Sequence, residues 1–379
     1  MAKREIETDL LMRPIAHFSH AARVGDVIHI GATAGTDAQL RLAGGNPGRV
    51  DFAAQARQMF HNLETVLGLL GARLDHVVRV KAYVVDVRDM PAYRAVFGER
   101  LGGIAPNHAM VGSHGFPLPQ AALEIDVIAV AGARAERMQS AVAGGHPSVL
   151  VGDTFYATAL PDRPAKAGDA AAQARTALAG LKAALAASGL AMRDVVNVHM
   201  TVSDIRHLEA IEEAYRLAFA TPYPARCIVA APLEEPGLCV QIEATAVRGG
   251  GQPVGGADAA LGCASPATLA GDVLYVSGHD APAAGDCEAQ TRGAWSRINA
   301  LVAAAGFAAD GVVRTNNVLT DWRDYAGFNA GYGANVTKPY PPRATVLGGL
   351  SRPSACVQIE AIAHRNGGEA LIVQVPGVP

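Results

Sequence analysis

Apolar positions along the chain follow two alternating periods, and the alternation itself recurs. Phe52, Ala56, Met59, Phe60, Leu63, Val66, Leu67 and Leu70 return every three or four residues, which predicts a helix with one buried face, stopped at Gly71. Leu178, Leu181 and Leu185 repeat that spacing, as do Trp295, Ile298, Leu301 and Val302. Each helix is preceded by a β-rich stretch (VIHIGAT, TFYATAL, VLYVSGH) and followed by a β-branched run ending at Asp86, Asp204 or Asp321. A second helix is predicted around 89–100, 206–219 and 323–333. Two closing strands follow, one from His108, Arg226 or Arg343 and one through LEIDVIAV, CVQIEATAV or CVQIEAIAH. The order β-β-α-β-α-β-β predicts an α+β unit, a mixed sheet with two helices on one face.

Short words recur in step with this pattern. CVQIEA stands at 239–244 and 356–361, PYPAR at 222–226 is matched by PYPPR at 339–343, and AQAR at 54–57 and 172–175 by AQTR at 289–292. Gly71, Gly189 and Gly306 keep the same register. The chain therefore reads as three tandem units. They are expected at 1–132, 146–248 and 261–366, with linkers at 133–145 and 249–260 and a tail at 367–379. The Gly-rich second linker is expected to be flexible, and LIVQV in the tail to dock as an extra strand. Each sheet face without helices needs cover. Three units packing their open faces about a pseudo-threefold axis would supply it, making an intramolecular pseudo-trimer that is a monomeric or dimeric chain.

Composition narrows the partners. Lys+Arg 32 against Asp+Glu 35 gives a net charge of −3 without runs of one sign, which argues against nucleic-acid or anionic-membrane binding. No apolar stretch is long enough to span a membrane, and the start lacks the apolar core of a signal peptide. Five cysteines with no C-x-x-C pair fit a reducing cytoplasm better than a disulfide framework or zinc site, and no cofactor or metal motif is present.

Arg226 and Arg343 each follow a proline-restricted run and open a predicted strand, a placement suited to bidentate capture of a carboxylate or to a packing salt bridge. His108 stands in that place in the first unit and would bind an anion only when protonated. Gln241 and Gln358, fifteen residues further on, are expected on the partner strand of a hairpin, and Glu124 takes their position in the first unit. They would orient water or be satisfied at an inter-unit seam. Glu243, Glu360 and Asp126, two residues later on the same face, are expected to be structural. Ser277 and Asn329 are smaller polar candidates, and Cys227 reads as a strand residue.

These marks resemble the Rid (YjgF/reactive intermediate deaminase, L-PSP endoribonuclease-like) family, whose chorismate-mutase-like unit would occur here three times, most weakly in the first. The resemblance implies ligand clefts at the junctions between units and hydrolysis of enamines or imines to 2-oxo acids and ammonia. It implies that Arg226 and Arg343 bind the substrate carboxylate, and that Glu124, Gln241 and Gln358 stand where the family positions water. The family's serine falls on Ser277, with Thr158 and Gly31 elsewhere. Its helix asparagine falls on Asn329, replaced by Glu212 and Arg94, and its tyrosine on Phe18, Gly145 and Ala264. The only glutamate thus lies in the unit without the arginine, and a site combining Arg226, Ser277 and Asn329 at the second–third junction is one expectation. A non-catalytic binder of small carboxylates is the alternative; ribonuclease activity is disfavoured by the charge balance.

Overall fold

The computed structural model describes residues 6, 8–46, 49–132, 134–139, 145–162, 168–365 and 367. The LIVQV segment (371–375), expected to dock as an extra strand, lies outside them. In the first unit β1 (Ala21–Val24), β2 (Val27–Ala34), α1 (Phe52–Leu69), β3 (Val77–Val84), α2 (Met90–Leu101), β4 (Asn107–Gly112) and β5 (Leu123–Val130) follow in the predicted order. A short strand, β6 (Ala135–Met138), leads into the second unit: β7 (Ser148–Val151), β8 (Thr154–Ala159), α3 (Ala170–Ala187), β9 (Val195–Val202), α4 (Leu208–Ala218), β10 (Ala225–Ala230) and β11 (Val240–Val247). Then β12 (Gln252–Val254) leads into the third: β13 (Ala267–Ala270), β14 (Val273–His279), α5 (Cys287–Ala304), β15 (Val312–Leu319), α6 (Tyr325–Gly333), β16 (Arg343–Leu347) and β17 (Val357–His364).

The recurring words have local causes. Asp51, Asp169 and Asp286 cap the first helix of each unit by accepting from the backbone of Ala54, Ala172 and Ala289. The glutamine of the AQ-x-R word ties that helix to the closing strand: Gln55, Gln173 and Gln290 accept from the N–H groups of Ala122, Cys239 and Cys356. Gly71, Gly189 and Gly306 take φ of 71°, 69° and 74°, the left-handed conformation that ends a helix. Asp86, Asp204 and Asp321 cap the turn before the second helix through Arg88, Arg206 and Arg323.

Two expectations need correction. The closing strands are not a hairpin: the first sheet runs β1-β2-β5-β3-β4, with β4 parallel to β3 and β5 inserted between β2 and β3. The other sheets repeat this, so Arg226 and Gln241 are separated by the whole of β9. A parallel partner needs a crossover, and α2, α4 and α6 supply it. The Gly-rich second connector is also not free chain over Gln252–Val254. β6 pairs with β7 and β12 with β13, so each extends the sheet of the unit that follows.

Each helix pair buries one face of its sheet in a core of its own, including Phe60 with Ile125, Leu181 with Ile242, and Trp295 with Ile359. The opposite sheet faces meet residues of the other units. A shared apolar cluster draws Tyr83 and Val111 from the first unit, Val229 and Leu233 from the second, and Val318 and Val346 from the third. The contacts close a ring: β4 lies against β8, β10 against β14 and β16 against β2. Inside the ring Arg79 donates to Asp126 (2.9 Å) and to Glu243 of the second unit (2.7 Å), Lys81 pairs with Glu243 (2.6 Å), and Arg314 of the third unit also holds Asp126. Burial alone would raise both carboxyls, but Lys81 and Arg79 hold Glu243 well below the usual carboxylate range, and Arg314 and Arg79 lower Asp126. Removing one member strands the others, so Asp126→Asn is expected to cost about 3–5 kcal/mol in urea unfolding.

Candidate active site

Where the start of β4, β10 or β16 crosses the neighbouring unit, three seams form from equivalent positions. They differ in what meets the residue that opens the strand.

At the first–second seam His108 is buried, with Nε2 3.0 Å from the Tyr93 hydroxyl and its ring stacked on Phe97. Burial pushes its pKa well below 6.5, with His146 and Arg94 adding to the effect. His108 is therefore neutral at pH 7 and offers no cation to a carboxylate, which corrects its assignment as an anion binder. Thr158 donates to Asn107 (3.3 Å), and His146 meets Glu234 (2.8 Å). Gln241 is fully buried, and neither atom of its amide head has a hydrogen-bond partner among the described residues.

At the second–third seam Arg226 is closed off. Its two terminal nitrogens donate to both oxygens of Glu212 (2.6 and 3.2 Å), its guanidinium lies over the Tyr215 ring, and its side chain is 1% exposed. The Ser277 hydroxyl accepts from the Arg226 backbone N–H (2.8 Å) and donates to the Ser265 carbonyl (2.6 Å). Gln358 accepts from the Cys227 thiol (3.0 Å). Ser277 meets Arg226 through its backbone and Gln358 reaches the adjacent Cys227, while the Arg226 guanidinium is taken up by Glu212. Asn329 is not with them, so the expected combination of Arg226, Ser277 and Asn329 does not form.

The third–first seam is open. Arg343 donates from Nη2 to Asn329 (2.6 Å) and reaches the Tyr325 hydroxyl at 3.5 Å, while its buried Nη1 has no hydrogen-bond partner among the described residues. The rings of Tyr332, Phe328 and Phe18 lie 4.7, 5.1 and 5.5 Å from the guanidinium carbon and hold it in place. A cavity of about 60 Å³ lies beside it, lined by Phe18, Ala32, Leu118, Glu124, Tyr325 and Thr345 among others. Glu124, on β5 of the first unit, thus faces the same space as Arg343 of the third. The glutamate and arginine that sit in different units along the chain share one cleft. Burial raises the Glu124 pKa to about 8. Gly31 is required here because a Cβ would lie 2.8 Å from the Arg343 backbone nitrogen and 2.9 Å from its carbonyl oxygen. A serine cannot take that place.

Tyr325 and Thr345 were not among the expected site residues. Tyr325 was legible as the residue one helical turn before Asn329, whose side-chain amide donates back to the Tyr325 carbonyl (2.9 Å).

The endoribonuclease L-PSP family model matches the chain three times, at 9–131, 146–248 and 257–365, and the chain belongs to that family. Among similar solved structures, RidA from an Antarctic Psychrobacter is 27% identical over 34% of this chain and 98% of its own, with a TM-score of 0.31. Yeast Mmf1 is 22% identical over 34% and 98%, also at 0.31. A YjgF/YER057c/UK114 family member from Mycobacterium tuberculosis is 29% identical over 30% and 86%, at 0.26.

The raised Glu124 pKa has a stability consequence. Between its ordinary value of 4.5 and about 8 the folded chain holds a proton that the unfolded chain has released, so stability falls as pH rises through that window. Glu124→Gln removes the effect. Its Tm relative to the unchanged protein is expected to climb from pH 5 to pH 8 and then level off in a thermal-melt series.

Proposed function

We propose that the chain hydrolyses a small carboxylate-bearing enamine or imine to a 2-oxo acid and ammonia at the third–first cleft. The observation that carries this reading is one cavity lined by both Arg343, whose buried Nη1 has no hydrogen-bond partner among the described residues, and Glu124, whose pKa burial raises to about 8. Arg343 takes the substrate carboxylate, with Asn329 and the surrounding rings holding the guanidinium still. Glu124 gives its proton to the enamine carbon, leaving an iminium beside a carboxylate. Water attacks the iminium carbon as that carboxylate takes a proton from it, giving a carbinolamine. Glu124 then passes the proton to nitrogen, and as the C–N bond breaks and ammonia leaves, the carbinolamine hydroxyl forms the 2-oxo group and returns its proton to Glu124. Tyr325 and Thr345 supply hydroxyls at the wall of the cleft.

The same reading assigns the other two seams a structural role and makes the chain a self-contained pseudo-trimer with one working cleft. Among the described residues no helix is long and apolar enough to cross a membrane, and the proposed location is the cytoplasm. The net charge of −3 does not favour an RNA substrate.

The test follows decay of a 2-imino acid generated in situ by an amino-acid oxidase. Arg343→Ala is expected to lower kcat/KM by roughly 10- to 100-fold, the worth of a charge-assisted hydrogen bond of about 1.5–3 kcal/mol. Arg226→Ala is expected to leave KM unchanged and lower Tm. Equal rates in Arg343→Ala and the unchanged protein would overturn the assignment. A Tm rise with 2-oxo acids that Arg343→Ala abolishes, without any turnover, would identify a binder instead.

The proton on Glu124 gives a second check. The kcat/KM is expected to fall as pH rises through about 8 and the donor form is lost. Glu124→Gln is expected to be slow and flat over the same range.

A further inference from the structure

Away from the open cleft, three metal-ligating side chains converge inside the ring. The parallel pairing of β9 with β10 sets His199 directly opposite Cys227, and Glu360 of β17 reaches them from the third unit. His199 Nδ1, Cys227 Sγ and a Glu360 oxygen lie within 4.8 Å of one another, with Nδ1 and Oε2 3.7 Å apart. His199 and Cys227 are 8% and 3% exposed. His199 Nδ1 and Glu360 Oε2 are both buried atoms with no hydrogen-bond partner among the described residues, and they face each other across this gap. Two buried polar atoms placed this way are satisfied when a water or an ion comes between them.

We infer that His199, Cys227 and Glu360 form a site for one divalent transition-metal ion, of which Zn²⁺ fits best, clamping the second unit to the third. The donor set of imidazole, thiolate and carboxylate suits zinc rather than calcium or magnesium, which take oxygen ligands. Tetrahedral zinc with these ligands needs donor atoms roughly 3.3–3.7 Å apart, so the trio closes with side-chain shifts of about an ångström.

Supporting contacts are in place. Asn316 donates to Glu360 Oε1 (2.5 Å), which turns Oε2 toward His199. Gln358 accepts from the Cys227 thiol (3.0 Å), and its amide can turn to donate once the thiol has lost its proton. The nearby cations are held elsewhere. Lys81 pairs with Glu243, and Arg79 and Arg314 with Asp126. Glu360 has His199 as its only ion-pair partner among the described residues. A cavity of about 40 Å³, lined by His199, Asn316 and Glu360 with Arg79, Glu243 and Arg314, adjoins the trio and has room for a water in the fourth position. Binding transfers the Cys227 proton to solvent and forms the metal–sulfur bond, without any redox change.

A second group, Cys287, Cys356 and Asp324, lies within one unit and provides the control. Reduced, chelator-treated full-length chain would be refolded with one equivalent of Co²⁺, so that the ion can reach a buried site, and read by absorbance and by metal content after gel filtration. One bound Co²⁺ with a thiolate-to-cobalt charge-transfer band is expected in the unchanged protein and in Cys287→Ser. Cys227→Ser is expected to lose the band, and Glu360→Gln to bind at least tenfold more weakly. Zn²⁺ in place of Co²⁺ is expected to raise Tm. An unchanged protein that retains no metal, or a band that survives Cys227→Ser and disappears in Cys287→Ser, would overturn the assignment. Should Cys227→Ser not fold, Glu360→Gln and the stoichiometry of the unchanged protein decide the matter. The imine assay is not involved, so this site stands or falls apart from the proposed reaction.

Discussion

The close crossing of one unit's strand over the next decides what every seam can contain. At the third–first seam the Arg343 backbone approaches Gly31 so tightly that no side chain fits between them. At the second–third seam the same crossing has room for Ser277, which accepts from the Arg226 backbone. The crossing brings the strand-opening residue of one unit to the closing strand of its neighbour. Cleft chemistry is therefore read across units, and a glutamate of the first unit and an arginine of the third face the same cavity.

Given that frame, one helix position sets the state of the guanidinium. Fourteen residues before Arg226 stands Glu212, and fourteen before Arg343 stands Asn329. A carboxylate satisfies both terminal nitrogens and neutralises the charge, whereas a neutral amide occupies one nitrogen and leaves the other. In a water-poor cleft the first arrangement is a closed ion pair, and the second is an anion site awaiting its ligand. Fourteen residues before His108 stands Arg94, and the imidazole there has turned to Tyr93 and Phe97 instead.

The repeats were legible because each recurring word serves a local need. A capping aspartate, a left-handed glycine and a glutamine tether act within a few residues or on one neighbouring strand. Strand order was not legible. Nothing in the spacing of Arg226 and Gln241 reveals that β11 is inserted between β8 and β9, since that placement comes from pairing across the whole unit. The partner of each cleft residue was hidden for the same reason. Arg226, Arg343 and Glu124 were found from residue type and position, but which of them share a space depends on how three sheets meet. The Gly-rich connector misled because composition reports backbone freedom, while Gln252–Val254 is fixed by the edge of β13.

The interior of the ring shows what a single chain permits. Arg79, Asn197 and Arg314 occupy equivalent places on β3, β9 and β15, as do Asp126, Glu243 and Glu360 on the closing strands. Three identical chains would be forced to place three like guanidiniums or three like carboxylates at one depth, in a medium that screens them poorly. Here the set is uneven. Asp126 takes both Arg79 and Arg314, Glu243 takes Arg79 and Lys81, and the neutral Asn197 removes a third positive charge. Glu360 is left to face His199 rather than a permanent cation. Buried charge is tolerable when each group is matched. Tandem fusion lets the matching be asymmetric, and the same asymmetry pairs Arg226 with Glu212 while Arg343 keeps a neutral partner beside a cavity.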